Sequence, residues 1–490
     1  MPSTTARPIT VTLNANQSKK FVFLLEPLPS DITTPNPQHT SILAEARKKF
    51  RIKQLDRVFL KGGTEFEASS IEELHEDVKE VWVSKGEPFA GKSGPAPGSR
   101  RTGARVDVIA QESYVDPEAV RQLKSVAELE GVEAAIGMPD LHPGNRFPIG
   151  CAVAAKGIYP ALIGTDVGCG IALYHLASIP SRLVPAKIAS LLQGLDDPWD
   201  GDVRAWLRER GVEQESSFDK TSLGTVGAGN HFAEICMVES IKNEAKCEEL
   251  GIKEGEMYLL VHTGSRGLGK SILEARSQSD PNPFYAADTP ELESYVVEHD
   301  YAVRWAVANR DLVAHRIATC LGLGSDLSSP SDASDSPKPP PKVIDVTHNS
   351  ATKRVLEFEG GRREEVWIHR KGAAPADMGV VPCPGSRGDF SWLLEPVGNG
   401  NDNAHSLAHG AGRLHPRGAA TLQRNVPGTT TSLGSEVVCT DPALMKEERP
   451  EAYKSVQTVV DDLESRGVAR GVAKLRPVVT YKVRSSWAKK

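Results

Sequence analysis

The sequence of 490 residues has no long hydrophobic run and no apolar N-terminal segment. A membrane-spanning helix needs about 18 or more consecutive apolar residues, and no stretch reaches that length without charges. The N-terminus, MPSTTARPIT, lacks the apolar core of a secretory signal peptide. Seven cysteines lie scattered without paired spacing, which argues against a disulfide framework. These absences predict a soluble protein of the reducing cytoplasm, with the nucleus as the alternative, and no membrane partner.

The chain also lacks an excess of positive charge. Its formal net charge is −6 at pH 7, which excludes a basic coat over the whole molecule. A local basic cleft is still sufficient to bind nucleic acid. Glycine and proline are abundant, with 43 and 34 residues, and they indicate many turns and long loops around the large core that this length allows.

The composition changes along the chain and predicts its domains. Residues 1–88 are predicted to form strands at Val11–Leu13, Phe21–Leu25, Arg57–Leu60 and Val81–Val83, a helix over Ser41–Phe50 capped by Ser41, and a short helix near Ile71–Leu74. This order of elements resembles a ubiquitin-like β-grasp module. The alternative is an extension that merely packs on the main body. Residues 89–104 are rich in glycine, proline, serine and arginine and predict a linker. Residues 105–490 are predicted to form one large α+β domain, with a disordered, low-complexity insertion at 325–342. Its predicted elements include strands at Met257–Val261 and Val343–Val346 and a helix over Glu291–Leu321.

The main chemical motif is the glycine-rich segment Gly164–Gly170, which reads GTDVGCG. It follows an apolar run, Ile149–Ile163, that is predicted to form buried strands. Asp166 offers a hard oxygen and Cys169 a soft sulfur three residues later, on a turn that the glycines allow to be tight. The segment therefore predicts a metal-binding turn.

Five histidines lie beside glycine or asparagine in compact motifs, namely His231, His262, His348, His369 and His409. A single histidine on an apolar strand is most often a core residue, but several at the ends of apolar runs favour a site. We expect them to converge on Asp166 and Cys169. One oxygen, one sulfur and three nitrogens suggest zinc or another late divalent ion. A bridging thiolate would suit a two-metal phosphoryl-transfer site, and the spacing decides neither the metal nor the number of ions.

Two further loops combine glycine with arginine, Pro384–Gly388 and Gly410–Arg413. Backbone N–H groups near arginines form a suitable cradle for phosphate oxygens. Neither loop is a P-loop, because the Gly-Lys-Ser/Thr ending is missing. Alone each signal is weak, and beside a metal cluster the two indicate phosphate chemistry.

The motifs MPDLHPG, GTDVGCG, GTVGAGNHFAE, HTGSRGLG, THN, HRKGAAPAD, PGSRG and AHGAGR occur in this order between about Val106 and Lys482. Together they resemble the RtcB family of RNA ligases. The segments RKGAAPAD and LRPVVTYK resemble the branch whose bacterial members are coupled to a release-factor-H-like protein. The resemblance implies a GTP-dependent 3′-phosphate/5′-hydroxyl nucleic acid ligase that joins an RNA 3′-phosphate or 2′,3′-cyclic phosphate to a 5′-hydroxyl, in RNA repair or tRNA splicing.

The resemblance also implies residue roles and replaces the zinc expectation with two Mn²⁺ ions. The implied metal ligands are Asp166, Cys169, His231, His262 and His348, with Cys169 as the bridge. The implied nucleophile is His409, which would carry GMP from GTP. Asn230, Glu234, Ser386, Lys482, Gly410 and Gly412 match positions that hold the guanine nucleotide. Asn349 and Arg266 lie beside ligands and are expected to contact phosphate.

Two other functions compete with the ligase. A metal-dependent phosphohydrolase or nuclease could use the same scaffold, but hydrolysis needs no nucleotide-carrying histidine, so His409 argues against it. A non-catalytic adaptor that binds RNA ends could recruit a protein partner through the N-terminal module. One departure from the family pattern is Pro416-Arg417, which stands after the HGAGR motif where a serine-arginine pair is usual.

Overall fold

The computed structural model describes residues 6–14, 19–27, 36–60, 63–69, 74, 78–87, 89, 103–176, 184–323, 338–415 and 426–483. The chain divides into two compact units, residues 1–102 and 103–490, and both mix helices with strands. Four predicted features lie wholly or mostly outside the described residues: the short helix near Ile71–Leu74, the linker 89–104, the insertion 325–342, and Pro416-Arg417. Of the insertion, residues 338–342 are described, and Lys342 begins a strand.

The first unit has the order β1 (Arg7–Leu13), β2 (Lys20–Leu25), α1 (Pro37–Phe50), β3 (Arg57–Phe59) and β4 (Glu80–Ser84). Its sheet has the strand order β2-β1-β4-β3. The central strands β1 and β4 are parallel, and the outer strands pair antiparallel to them. Ile9, Val11 and Val81 from the sheet pack with Ile42 and Leu43 of α1 in one apolar core.

The helix α1 begins four residues before the predicted Ser41. Asn36 is the N-cap, and its side chain accepts hydrogen bonds from the backbone N–H groups of Gln38 and His39. Pro37 occupies the first helical position, where its missing N–H costs nothing. The Ser41 hydroxyl instead donates to the Gln38 carbonyl, inside the helix. An asparagine followed by proline was therefore the stronger start signal.

The second unit contains seventeen strands and ten α-helices within its described residues. The strands are β5 (Arg105–Val108), β6 (Val132–His142), β7 (Ile149–Ala155), β8 (Gly157–Ile158), β9 (Gly170–Leu176), β10 (Phe232–Ile241), β11 (Met257–Thr263), β12 (Tyr285–Ala286), β13 (Lys342–Thr347), β14 (Asn349–Phe358), β15 (Arg362–Lys371), β16 (Ala373–Pro375), β17 (Val381–Pro384), β18 (Ser391–Pro396), β19 (Ser406–Ala408), β20 (Glu436–Val438) and β21 (Ala469–Tyr481). The helices are α2 (Pro117–Ala127), α3 (Pro160–Ile163), α4 (Pro185–Leu191), α5 (Val203–Arg208), α6 (Asp219–Ser222), α7 (Glu244–Leu250), α8 (Gly267–Arg276), α9 (Pro290–Cys320), α10 (Pro442–Glu447) and α11 (Val456–Ser465).

Two large sheets organise the second unit. The eight-stranded sheet has the order β13-β9-β11-β10-β21-β18-β17, with β20 beside β21. The five-stranded sheet has the order β14-β15-β7-β6-β5. Because β13 continues into β14 after a single residue, His348, the two sheets meet at that point of the chain.

The predicted elements of this unit are found with small changes at their ends. The helix predicted over Glu291–Leu321 is α9, which spans Pro290–Cys320 and packs against β9 and β11. The apolar run Ile149–Ile163 does not form strands throughout. It forms β7 and β8, and then turns into the short helix α3, whose first residue is Pro160. Proline is favoured at a first helical position and is unfavourable inside a strand.

No helix among the described residues combines the length and the apolarity that crossing a bilayer requires. Although α9 contains 31 residues, charged residues occur along it and several are buried. Arg310 and Asp311 are examples. The helix α9 therefore places charged side chains in the protein interior. One of them, Arg310, contacts the site described next.

Candidate metal centre and adjoining cavity

The predicted metal ligands lie at one edge of the eight-stranded sheet. Cys169 directly precedes β9, and His231 directly precedes β10. His262 lies at the end of β11, and His348 directly follows β13. Because these neighbouring strands are antiparallel, the starts of β9 and β10 lie beside the ends of β11 and β13. The register pairs His262 with both Ile171 and Phe232.

The side chains form two groups that share one sulfur atom. Cys169 Sγ lies 3.4 Å from His262 Nε2, which lies 3.2 Å from His348 Nε2. The same Sγ lies 3.3 Å from His231 Nε2, which lies 2.9 Å from Asp166 Oδ2. One group is therefore Cys169, His262 and His348, and the other is Asp166, Cys169 and His231.

This donor set fits bound metal ions. Bonds of about 2.0 to 2.3 Å from a metal to nitrogen and sulfur put neighbouring ligands roughly 3.5 Å apart, close to the observed spacing. Burial, reinforced by the charge of Asp166, raises the pKa of the Cys169 thiol well above its ordinary value. A coordinated cation reverses this effect, because a metal-bound thiol is deprotonated. Two overlapping triads are compatible with two ions.

His262 and His348 are held in the neutral form that metals bind. Burial lowers the pKa of His262 well below its ordinary value, and the nearby His348 and His231 lower it further. Burial also lowers the pKa of His348, together with the nearby His409. Neutral imidazole is the metal-binding form, so these ligands are ready at neutral pH.

The turn that carries Asp166 is held against the loop after β11. The backbone N–H of Arg266 donates to Asp166 Oδ1 at 3.2 Å, and a Cβ atom on Gly264 would collide with the Asp166 carboxylate. Only glycine permits that approach. The Arg266 guanidinium lies 3.3 Å from His231 Nδ1. Asn349 donates to the Asp166 carbonyl and accepts from the Gly372 N–H, so its amide connects loops of the protein.

Two buried side chains of α9, those of Asn309 and Arg310, form hydrogen bonds to the loops that carry the predicted metal ligands. The Arg310 guanidinium donates to the carbonyls of Gly168 and Thr263, at 2.9 and 3.1 Å, and pairs with Asp345 on β13. Asn309 accepts from the Gly224 N–H and donates to the Thr225 and Gly264 carbonyls. Gly168 precedes Cys169, and Thr263 follows His262. The pair therefore fixes the backbones on which several ligands are mounted.

His409 lies beside the cluster and has its own carboxylate partner. Its ring centre is 4.8 Å from that of His348. His409 Nδ1 lies 2.6 Å from Asp140 Oδ2, and the His409 backbone N–H donates to the same oxygen at 3.3 Å. Asp140 is completely buried. A carboxylate that accepts from Nδ1–H leaves Nε2 as the free, nucleophilic nitrogen of the ring.

The Asp140 turn is braced by a buried lysine. Lys454 Nζ donates to the carbonyls of Pro139 and Leu141, both at 2.8 Å, and its backbone N–H donates to the Gly412 carbonyl. Burial lowers the pKa of Lys454 to about 8, although nearby Asp140 opposes the shift. A Cβ atom on Gly412, which has φ 70°, would collide with the Asp140 backbone. Glycine is thus required where the two loops cross.

A cavity of about 930 Å³ opens beside the cluster. Its walls include every residue assigned to metal, nucleophile or nucleotide: Asp166, Cys169, His231, His262, His348, His409, Asn230, Glu234, Ser386, Gly410, Gly412 and Lys482. Arg146, Arg387 and Arg413 add positive charge to the lining. The volume is within the range of nucleotide-sized sites.

One wall of the cavity carries a buried carboxyl and a buried ammonium group. The Thr480 hydroxyl donates to Glu234 Oε2 at 2.6 Å, and burial raises the pKa of Glu234 to about 7. Lys482 Nζ lies 3.6 Å from Glu448 Oε2 and donates to the His231 carbonyl at 3.3 Å. Glu448 also pairs with Arg413 of the HGAGR motif. This wall of the cavity therefore carries both acidic and basic side chains.

His369 does not join the cluster, contrary to the expectation that all five histidines converge. It lies inside β15, where the Tyr159 N–H donates to its Nε2 at 2.9 Å and its Nδ1 contacts the Val153 carbonyl at 3.1 Å. Burial lowers the pKa of His369 to about 4. Both ring nitrogens are occupied by the backbone, so His369 is a core residue.

Sequence reasoning missed several residues that shape the site. Asp140 was visible in the motif MPDLHPG, where an acidic residue among apolar ones is itself a signal. Lys454, Asn309, Arg310 and Glu448 had no such signal, because their partners lie far away in the chain.

The chain matches the family model described as "tRNA-splicing ligase RtcB" over residues 122–205 and 200–483. It is 37% identical over 382 residues to the RNA-splicing ligase RtcB2 of Escherichia coli. This alignment covers 76% of the present chain and 94% of the relative. It is 29% identical over 462 residues to the tRNA-splicing ligase RtcB of Aeropyrum pernix, covering 75% and 92%. The match to that of Thermococcus kodakarensis is 29% over 449 residues, covering 75% and 91%. The motifs that meet around Cys169 are thus those of a known lineage, and the chain belongs to the RtcB family.

Proposed function

We propose that the protein is an RNA ligase that joins RNA 3′-phosphate or 2′,3′-cyclic phosphate ends to 5′-hydroxyl ends, with GTP and Mn²⁺, in RNA repair or tRNA splicing. Its relatives are named RNA-splicing and tRNA-splicing ligases. The observation that carries the proposal is His409, which contacts Asp140 and lies beside the cluster around Cys169 in the same cavity. A plain hydrolase would not need this histidine.

The first step is attack by His409 Nε2 on the α-phosphorus of GTP. A nitrogen–phosphorus bond forms, the bond between the α-phosphorus and its bridging oxygen breaks, and pyrophosphate leaves. Asp140 keeps the proton on Nδ1 and stabilises the positive charge that develops on the ring. The support for this role is the 2.6 Å contact between Nδ1 and Oδ2.

Two Mn²⁺ ions would be held by Asp166, Cys169, His231, His262 and His348, of which Cys169 belongs to both groups of side chains. When bound, such ions neutralise phosphate charge and orient the reacting groups. Within the protein, the cluster is supported by Arg266, which contacts both Asp166 and His231. The chain thus supplies one set of ligands for each ion.

The guanine nucleotide is bound by Asn230, Glu234, Ser386 and Lys482, with Gly410 and Gly412 giving the backbone close access. An ionised Glu234 is an acceptor for guanine N–H groups. Lys482 is a buried ammonium donor that directly follows β21, and β21 pairs with the strand of Glu234. All six residues line the cavity.

The remaining steps transfer GMP and then release it. An oxygen of the RNA 3′-phosphate attacks the phosphorus of the histidine-bound GMP, and the bond to His409 breaks. The 5′-hydroxyl then attacks the activated 3′-phosphorus, loses its proton, and displaces GMP as the new phosphodiester forms. A 2′,3′-cyclic end must first be opened by water to a 3′-phosphate. The cavity is also lined by three arginines that are suited to bind RNA phosphates, Arg146, Arg387 and Arg413.

The N-terminal residues 1–88 are proposed to be a β-grasp module that a linker, 89–104, joins to the ligase domain, 105–490. A helix across a four-stranded sheet with parallel central strands supports this assignment. A protein partner is proposed for the module, supported by the exposed side chains of Val22 and Leu24 on the edge strand β2. A reducing compartment such as the cytoplasm is proposed because Cys169 must remain a free thiol to bind metal.

The deciding experiment incubates the protein with Mn²⁺ and GTP labelled at the α-phosphate. The ligase retains label on the protein, and that label is sensitive to acid and hydroxylamine because it is a phosphoramidate. A phosphohydrolase releases label without retaining it, and an adaptor does neither. Either of the latter results contradicts the proposal. The nucleotide control is an incubation with ATP labelled at its α-phosphate. The protein should carry no label after it.

A further inference from the structure

The N-terminal unit collects its basic residues at one end. The register pairs Thr12 of β1 with Lys20 of β2, so Lys20 lies beside the end of β1. Leu13 pairs with Val83, and Ser84 pairs with Arg57, so the end of β4 and the start of β3 lie at the same end of the sheet. The rings of Phe21 and Phe50 are 5.2 Å apart, which brings the end of α1 there as well.

The residues that meet at this end are Lys19, Lys20, Lys48, Lys49, Arg51, Lys53, Arg57 and Lys85, which we call the basic end. All except Arg57 are exposed. The acidic residues within these elements or beside the basic residues are Glu45, Asp56, Glu65, Glu80 and Glu87. Glu80 begins β4, at the other end of that strand, and accepts a hydrogen bond from the Thr12 hydroxyl. Basic residues therefore predominate here, although the chain as a whole carries a net charge of −6.

Most of this positive charge is not neutralised by neighbours. Lys48 and Lys49 approach the same carboxylate, that of Glu45, at 3.7 and 3.9 Å, and Arg57 pairs with Glu65. Within the described part of the chain, Lys19, Lys20, Arg51 and Lys53 form no ion pair. Such exposed, unpaired cations remain available to an anionic partner.

A purely structural explanation covers only part of the basic end. Basic residues in the last turn of a helix favour the negative end of its dipole, and this accounts for Lys48 and Lys49. It does not account for Lys19, Lys20, Lys53 or Lys85, which belong to other segments.

The backbone gives a second indication at the end of α1. Arg51 has φ 58° and ψ 37°, a left-handed conformation that helix ends usually assign to glycine or asparagine. An arginine there keeps a cation at a position where a smaller residue would be less strained. Arg47 donates through Nε and one terminal nitrogen to the Leu55 carbonyl, at 2.9 and 2.6 Å. This contact orders the loop that presents Lys53.

From these observations we infer that the basic end binds the phosphate backbone of RNA, as a second RNA contact outside the cavity. The choice of RNA as the anion rests on the proposed ligase function. Contacts to phosphate raise affinity without reading sequence. The basic end therefore lowers the KM for long RNA and leaves kcat, and joining of very short RNA, unchanged.

The test uses the full-length chain and a single-stranded RNA of about 30 nucleotides with a 5′-phosphate and a 3′-hydroxyl. These ends cannot be joined by the proposed reaction, so binding is measured by fluorescence anisotropy apart from catalysis. The variant is Lys48→Gln/Lys49→Gln/Arg51→Gln/Lys53→Gln. Its RNA affinity should fall at least ~10-fold in low salt, and the slope of log K against log salt should decrease by roughly 3, about 0.7 for each phosphate contact.

Two control variants separate charge at this surface from other effects. Lys48→Arg/Lys49→Arg/Arg51→Lys/Lys53→Arg keeps the charges and should retain wild-type binding. Lys124→Gln/Lys187→Gln/Lys253→Gln/Lys270→Gln removes four exposed lysines from the second unit and should also retain it. Equal loss in this second control, or an unchanged slope in a glutamine variant whose circular dichroism is native, overturns the inference. So does binding of polyglutamate as tight as that of RNA at equal charge, which would favour an acidic protein. If GTP does not label the protein, but the glutamine variant shows the expected decrease in the slope of log K against log salt, only the proposed function is contradicted.

Discussion

Cys169 is the single residue common to both ligand groups. Cys169→Ala should therefore abolish metal binding more completely than loss of any one histidine, because it removes a ligand from both ions. Each single replacement of a histidine ligand, His231→Ala, His262→Ala or His348→Ala, should weaken Mn²⁺ binding by at least about 10- to 100-fold. A loss of that size is typical even for residues that only hydrogen-bond to a ligand. Metal content after dialysis and calorimetric titration measure this. His175→Ala, a histidine paired with Glu256 away from the cluster, is the control. Full Mn²⁺ occupancy in Cys169→Ala would show that the sulfur does not bridge.

His409 differs from the ligands because it is assigned to the nucleotide. His409→Ala should lose GMP labelling and joining but still bind Mn²⁺, and it should join RNA whose 3′ end is already activated with GMP. Asp140→Asn should keep metal binding and slow labelling by roughly 10²-fold or more, because Nδ1 loses its charged partner. Labelling by gel and joining of pre-activated RNA are the two measurements. If His409→Ala still accumulates bound GMP, the nucleophile is another residue, and His405 is then the next to test, since His369 is a core residue.

Glu234 should make binding of the guanine base depend on pH. Burial raises its pKa to about 7, and the ionised form is the better acceptor for guanine N–H groups, so affinity should rise as pH increases through about 7. At pH 6 only about a tenth of Glu234 is ionised, and the affinity should be roughly tenfold below that at pH 8. Calorimetry with guanosine avoids the titration of GTP phosphates. Glu234→Gln should bind without this dependence, and a wild-type affinity that is constant from pH 6 to 8 would contradict the assignment.

The long helix α9 supports the candidate metal centre through Arg310, and it supplies none of the predicted ligands. Arg310→Lys keeps a charge but loses the planar fork that contacts the Gly168 and Thr263 carbonyls together with Asp345. Mn²⁺ affinity should fall roughly 10- to 100-fold, and the absorption bands of the Co²⁺-substituted protein should shift as the ligand loops relax. Arg304→Lys, on the exposed side of the same helix, should change neither. Unaltered Co²⁺ bands and Mn²⁺ affinity in Arg310→Lys would limit Arg310 to general packing.

At the scale of the whole molecule, the two units should be separable in function. Every matched family motif lies in the second unit, and the family model begins at residue 122. Deleting residues 1–95 should therefore leave joining of a short model RNA intact in vitro. The assay compares kcat on RNA of a few nucleotides, with circular dichroism to confirm folding. A folded but inactive truncation would make the N-terminal unit part of the catalytic machinery.

Elements that depend on local sequence pattern were predictable without the structure. Apolar runs ending in histidine predicted β11 and β13, and the long helix α9 was predicted to within one residue at each end. Motif order identified the family, since glycine-flanked polar residues in a fixed order are rare by chance. Local rules failed where two signals competed, as at the start of α1 and at Pro160.

Which side chains meet depends on the packing of distant segments. Strand register brings Cys169, His231, His262 and His348 to one edge, although they are spread over 180 residues of chain. The same packing puts His369 in the core, although its motif looks like the others, because its ring nitrogens find backbone partners at Val153 in β7 and at Tyr159 after β8. It also supplies Asp140, Lys454, Asn309 and Arg310 as supports from distant segments. Hydrogen-bond partners and burial are properties of spatial neighbours, and sequence separation does not specify them.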